Sequence, residues 1–305
     1  VGTFVSECLF GRKGEYMRCL RKCKGNVPKK SSNNKVLDFL YRTESGRRVL
    51  KVLVHPAVSN IGRVFLNTRL SCVFINPFIR ANNIDLSGCE KFGFNSYNDF
   101  FHRRYRKGYL DIDMNRDDFI SPCDARLSVY EIGEDSVFNI KNTEYDLHDL
   151  LKDKKLAERY KGGHLWLYRL CVDDYHRYIY PVNGIKSGNR RINGVYHTVQ
   201  PIANDYYPIY KENTREYCLI KTKDAGTVLM MEVGALLVGR IANDEICAAR
   251  VSRGGEKGHF EFGGSTIIVM TQKDKVVPDK VYTESTACGI ETVVKLGQKV
   301  GVMKN

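Results

Sequence analysis

Apolar positions recur three and four residues apart over residues 36–82, which predicts amphipathic helices before any sheet. Val49, Leu50, Leu53 and Val54 fall on one face, with Arg47, Arg48 and Lys51 beside them. Pro56 is expected to close that segment, and a second should begin near Ile61, carrying Val64, Phe65, Arg63 and Arg69. Two readings fit: a helical subdomain packed on a core, or a surface that dips Leu50, Leu53 or Phe65 into lipid while basic residues meet headgroups. Further on, Ser96 with Asp99 three residues later resembles a capping box, so a helix should start there.

From Phe119 the pattern changes to short β-rich runs separated by turns, such as Leu127-Ser128-Val129-Tyr130, Leu165-Trp166-Leu167-Tyr168, Tyr217-Cys218-Leu219-Ile220 and Val228-Leu229-Met230-Met231. A short helix is expected from Tyr145 to Lys152. Near the C-terminal end, Phe260 and Phe262 alternate around Glu261, and Ile267-Ile268-Val269-Met270 is apolar and mostly β-branched, so both flanks of Gly263-Gly264-Ser265-Thr266 read as strands. The expected fold class is α+β: a basic flexible leader (1–35), a helical, membrane-associating region (36–115) and a mostly β domain (116–305).

Charge adds a partner class. Lys and Arg number 48 against 35 Asp and Glu, a net +13, which favours an anionic membrane surface or nucleic acid. The chain lacks the interleaved aromatic platform or basic recognition helix expected for nucleic acid, so a membrane is the better partner. No apolar run approaches the ~18 residues that span a bilayer. The 10 cysteines are scattered without a C-x-x-C pair, which reads as reduced thiols in a cytoplasmic protein. Cys19 and Cys23 have no second ligand pair, so no metal site is expected.

Three stretches could carry chemistry together with Ser265. Ser121-Pro122-Cys123-Asp124-Ala125 places an aspartate in a turn, Asp173-Asp174-Tyr175-His176-Arg177 places a histidine among acids and aromatics, and Gly194-Val195-Tyr196-His197-Thr198 places another in a strand-like run. Each alone reads as structural. An Asp, a His and a Ser can also form a relay in which the imidazole takes the serine proton, and a glycine before the serine leaves its own carbonyl open to attack.

Lys257-Gly258-His259-Phe260-Glu261-Phe262-Gly263-Gly264-Ser265-Thr266 resembles the processing site of the phosphatidylserine decarboxylase proenzymes. So do Ser121-Pro122-Cys123-Asp124, Asp174-Tyr175-His176-Arg177, His197-Thr198-Val199-Gln200-Pro201, Glu232-Val233-Gly234-Ala235-Leu236-Leu237-Val238-Gly239 and the Phe94–Phe101 segment, all in family order. The chain departs from that pattern at Ile179, where many members carry a second histidine, and at Ala125, where glycine is usual.

The resemblance implies a self-processing enzyme of the bacterial type. Ser265 would attack the Gly264 carbonyl, and elimination from the resulting ester would leave a pyruvoyl group as covalent cofactor. Its ketone would form a Schiff base with phosphatidylserine and accept the electrons left by CO₂, giving phosphatidylethanolamine. Asp124 and His176 would assist processing, with His197 competing or cooperating as base. The β and α chains would stay together as a heterodimer, with further homo-oligomerisation open, peripheral on the cytoplasmic face of the cell membrane. Arg47, Arg48 and Lys51 would meet headgroups. The alternatives are a pyruvoyl decarboxylase of a soluble amino acid and a non-enzymatic membrane-surface protein.

Overall fold

The computed structural model describes residues 35–304 apart from 141–142, 200–202, 204–205, 236–239 and 262–264. The rest of the basic leader, the Cys19–Cys23 pair and Gly264 therefore lie outside the described residues. The fold is α+β, with helices first and sheets after.

A nine-stranded antiparallel sheet forms the centre. Its strands run in the spatial order Ala249–Val251, Gly184–Lys186, Arg215–Lys221, Thr227–Val233, Ser265–Thr271, His164–Leu170, Ala125–Glu131 and Thr292–Val294, while Arg190–Ile192 also pairs with Arg215–Lys221. Alternate residues of each strand enter two different cores. Leu165, Leu167, Leu229, Met231, Ile268 and Met270 face one, and Trp166, Tyr168, Val228, Met230, Ile267 and Val269 face the other. All seven residues of Ser265–Thr271 are buried, as expected of a strand covered on both sides. Two three-stranded sheets flank the centre: Asp118–Ile120, Lys299–Met303 and Val276–Pro278, and Ile241–Asn243, Glu256–Phe260 and Arg177–Ile179.

Helices occupy the N-terminal region as the periodicity predicts: Lys35–Arg42, Glu44–Leu53, Pro56–Leu66, a 3₁₀ turn at Arg69–Phe74, and Ile75–Asn82. Thr43 caps the second by accepting the Gly46 N–H at 3.0 Å. Pro56 opens the third helix instead of ending the second, because a first-turn proline gives up no helical hydrogen bond. Ser96 does cap Tyr97–Phe101, accepting the Asp99 N–H at 3.1 Å. The helix expected over 145–152 is Leu147–Leu151, and Tyr145 belongs to the preceding strand.

Two expectations need correction. Leu50 and Val54 are buried in the same core as Leu40, Tyr41 and Tyr210, with Leu53 packed against it, so Leu50 and Leu53 face protein and not lipid. The exposed apolar residues are the neighbours Val49 and Val52 and, further on, Ile61, Val64, Phe65, Leu70, Val73 and Phe74. Six described cysteines are free, but Cys288 is disulfide-bonded, a pairing that scattered spacing does not reveal.

Leu50→Ala should cost about 2–5 kcal/mol, while Val52→Ala should stay within about 0.5 kcal/mol. Urea denaturation of both variants checks this; equal, small effects would place Leu50 at a surface.

Candidate active site

Ser265 is the first residue of the innermost strand and is wholly buried. It pairs with Leu170, and directly opposed residues share a sheet face, so the serine lies on the face of Leu170, Tyr168 and Ile267. Glu232 stands opposite Ile267 on the other neighbouring strand and belongs to that face as well.

His176 is fully buried just before the Arg177–Ile179 strand, and its carbonyl accepts the Phe260 N–H at 2.9 Å. That bond ties it to the strand leading toward Ser265. Its ring packs 3.9 Å from the Phe101 ring, centroid to centroid. Nδ1 lies 2.9 Å from the Asp174 carbonyl oxygen, a pure acceptor, so Nδ1 carries the proton and donates. Nε2 is buried with no hydrogen-bond partner. Burial, then the nearby Arg103 charge, lowers the His176 pKa to about 3, so the ring is neutral with a free lone pair at Nε2.

Asp124 does not orient this ring. Its carboxylate accepts the Leu296 N–H at 2.8 Å and pairs with Lys295 at 2.8 Å. Gly297, at φ +83°, shapes that turn, and a Cβ there would come within 2.8 Å of the Ile112 Cα. Asp124 nevertheless belongs to the same charged neighbourhood. Burial raises the Asp174 pKa to about 6, opposed by the Cys171 N–H and Arg126 and assisted by Asp124. Ala125 begins a strand and is absent from the positive-φ positions, so replacing the family's usual glycine there carries no backbone strain.

His197 lies elsewhere. It is buried outside any strand, stacked 4.5 Å from Tyr207, with Nδ1 3.4 Å from the Tyr41 hydroxyl and Nε2 3.6 Å from a Glu212 oxygen. Burial lowers its pKa to about 4. The ring is packed between Tyr41 and Tyr207 of the helix-facing core, a setting that suits packing better than proton transfer. Arg48 pairs with Glu44 at 2.8 Å, Arg47 reaches the Tyr41 and Arg42 carbonyls at 3.4 Å, and Lys51 is exposed.

Four groups escaped the sequence reading. Lys257, inside the processing motif, makes a wholly buried ion pair with Glu232 at 2.8 Å, and its Nζ donates to Asn243 at 2.7 Å. His259, two residues on, has an unpartnered Nδ1 and packs 4.5 Å from the His102 ring. Both stand in a stretch already singled out and were overshadowed by the serine. Lys295 and Arg103 carry no local signal.

The depressed histidines set an acid limit on stability. Below the ordinary value of 6.5, the unfolded chain takes up protons at His176 and His197 that the folded chain refuses until about pH 3 and 4. Their contribution is therefore present above that window and lost as pH falls through it. Asp174, raised to about 6, acts in the opposite sense. His197→Gln should flatten the decline of Tm between pH 6.5 and 4.5, measured by calorimetry; an unchanged slope would mean His197 is not held neutral.

Sequence comparisons identify the family. The family model described as phosphatidylserine decarboxylase matches residues 97–302. Phosphatidylserine decarboxylase proenzyme 2 of Clostridium acetobutylicum is 42% identical over 273 residues, covering 89% of this chain and 93% of that protein. The proenzyme of Clostridium tetani is 36% identical over 285 residues, covering 92% and 96%. That of Ruminiclostridium cellulolyticum is 37% identical over 286 residues, covering 92% and 95%. With Ser265, His176 and Asp124 standing in motifs spread along that whole length, this chain belongs to the phosphatidylserine decarboxylase family.

Proposed function

We propose that this chain is the precursor of an enzyme that cleaves itself between Gly264 and Ser265 and converts phosphatidylserine to phosphatidylethanolamine and CO₂. The observation that carries this reading is Ser265, a hydroxyl wholly buried at the first residue of the innermost strand, directly after a Gly-Gly connection. A pyruvoyl group made from that serine would supply the carbonyl that takes up the electron pair of the departing carboxylate. The surroundings fit such a group. Residues 266–270 are held by strands on both sides, and a neutral base with an orphaned nitrogen is buried on the segment bonded to the strand that precedes them.

His176 is the base in this reading. Its Nε2 accepts the Ser265 hydroxyl proton as the serine oxygen attacks the Gly264 carbonyl carbon. The C–N bond breaks, an ester forms, and the proton passes to the freed serine amine. The Asp174 carbonyl holds the tautomer that makes this possible. Asp124 acts through Lys295 and Leu296, which follow the cleavage point and are fastened to the turn beside Asp174. His197 packs the helices onto the sheet.

The enzyme is peripheral on the cytoplasmic face of the membrane. Among the described residues no helix is long and apolar enough to cross a bilayer. Ile61 (73% exposed), Val64 and Phe65, with Leu70 (74%), Val73 and Phe74, form an apolar face over residues 61–74, beside exposed Arg69 and Arg80. An apolar face with a basic rim suits the interface of an anionic bilayer, where the lipid substrate resides. Of the basic cluster expected to meet headgroups, Lys51 and Arg48 are exposed and Arg47 is partly turned inward.

Intact-mass measurement of purified protein should show fragments 1–264 and 265–305, the latter with a blocked N-terminus, and the two should co-elute in native gel filtration. Ser265→Ala and His176→Ala should stay uncleaved, Asp124→Asn should cleave slowly, and His197→Gln should cleave fully. A wild-type chain that stays whole on long incubation, or full maturation of His176→Ala, would sink the assignment.

Vesicle flotation tests the surface. Binding should rise with phosphatidylserine content and persist in part at high salt, since each basic residue near an anionic surface contributes on the order of 1 kcal/mol and only that part is screened. Val64→Ser with Leu70→Ser should remove the salt-resistant part, whereas neutralising Arg48 and Lys51 should reduce only the salt-sensitive part. Equal binding to neutral vesicles would rule out the electrostatic component.

A further inference from the structure

Arg103 follows the Tyr97–Phe101 helix and is only 3% exposed. Its Nε and Nη1 are buried without hydrogen-bond partners, while its Nη2 reaches the Asp174 carbonyl at a long 3.5 Å and the Tyr105 hydroxyl also lies against the guanidinium, a neutral group that leaves its charge unmatched. The guanidinium lies over the Phe100 ring at 5.5 Å. Neighbouring carboxylates are committed elsewhere: Asp99 to Lys91, Glu256 to Arg104 and Arg177, and Asp174 to Arg126. A buried cation with two idle nitrogens is costly unless an anion completes it.

The location says which anion. The Asp174 carbonyl that Arg103 touches also fixes the His176 ring, and the Arg103 charge acts directly on that ring. On its other side Phe100 packs with Phe78, Phe94 and Tyr97, in the helical cluster that includes Leu66, Cys72 and Ile75, beneath the exposed apolar face. Arg103 thus stands between a surface suited to lipid and the candidate catalytic histidine.

We propose that Arg103 is the anion anchor of the active site and holds the phosphodiester of the phospholipid substrate, an inference that rests on the decarboxylase reading. The substrate offers two anions, and only one suits a guanidinium. Pairing the carboxylate would stabilise a charge that the reaction must lose as neutral CO₂ leaves, which raises the barrier. The phosphodiester keeps its charge throughout, so holding it lowers KM at no cost to kcat. Arginine is also the side chain best matched to phosphate oxygens.

In the mature enzyme Arg103→Gln should leave cleavage at Ser265 intact by mass. KM for a dispersed short-chain phosphatidylserine should rise about ten- to a hundred-fold with far less change in kcat, and Arg103→Lys should recover part of the loss. Two inhibitors separate the anions: glycerophosphoethanolamine keeps the phosphodiester without a carboxylate, and free serine has the reverse. Arg103→Gln should weaken inhibition by the first and not by the second. Weakened serine inhibition alone, or no change in either, overturns the proposal. The uncleavable Ser265→Ala chain provides a test that needs no pyruvoyl group and so stands apart from the decarboxylase reading. Glycerophosphoethanolamine should raise its Tm, and R103Q or R103K in that background should reduce the shift; no shift, or an equal one, overturns the anchor.

Discussion

One packing constraint underlies the rest: the strand that starts with Ser265 occupies the middle of the central sheet and is buried over its whole length. Ile267, Ile268, Val269 and Met270 supply both cores at once, each worth roughly 1.5–3 kcal/mol of burial. Scission just before such a strand leaves the pairing of the residues after Ser265 in place. Downstream, Thr292–Val294 pairs with Ala125–Glu131, and Lys299–Met303 pairs with Asp118–Ile120. The two products of cleavage would remain one folded body, with the new terminus held in the interior. A serine meant to become an N-terminal group without leaving its site needs this placement.

Charge reinforces the constraint on the face that Ser265 shares. Lys257 and Glu232 are wholly buried, and their pair extends through Asn243 to Glu216, then through Asn189 to Lys186. Glu232 sits on the strand beside Ser265–Thr271, and Lys257 on the strand that precedes it in the chain, so the pair clamps one to the other. Removing one partner of a buried pair costs about 3–5 kcal/mol, against about 0–1 for an exposed pair such as Lys91–Asp99. Burial raises the Glu232 pKa while Lys257 opposes it. The histidines follow the opposite design, buried neutral and without a carboxylate in hydrogen-bond contact with His176. Positive charge is fixed at Lys257 and Arg103, and proton-accepting capacity is left at His176.

Much of this was legible in the chain. Helical periodicity before residue 82, the Ser96 cap and the four β-rich runs all fall where the structure has them, because each depends on local pattern. The apolar run that starts at Ser265 was legible as a strand for the same reason. Contacts across long sequence separation were not. Nothing near Asp124 points to Lys295 and Leu296, 171 and 172 residues away, so the expected Asp–His contact gave way to an ion pair. His197 was misread as a strand position because alternation alone does not report what covers it, here Tyr41 and Tyr207. The Leu50 face was legible as apolar, but amphipathicity cannot say whether protein or lipid receives it.

The helical region is accordingly not uniform. Its first two helices are sealed to the sheet: Tyr41 donates toward His197, accepts the Thr198 N–H at 3.2 Å, and shares a core with Leu50 and Val54, while the Val54 carbonyl accepts the Tyr196 N–H at 3.1 Å. The segment from Leu66 to Phe101 has its own small aromatic core and keeps an apolar face outward just ahead of it. A phospholipid substrate poses two demands, apolar acyl chains that should not be wetted and an anionic head that must reach a buried histidine. A segment apolar at its surface, aromatic within, and ending at Arg103 beside His176 meets both demands in sequence. With the phosphate at Arg103 as proposed, binding energy spent on the tail and the phosphate would leave the carboxylate the least stabilised part of the bound lipid, and that is the part a decarboxylation has to lose.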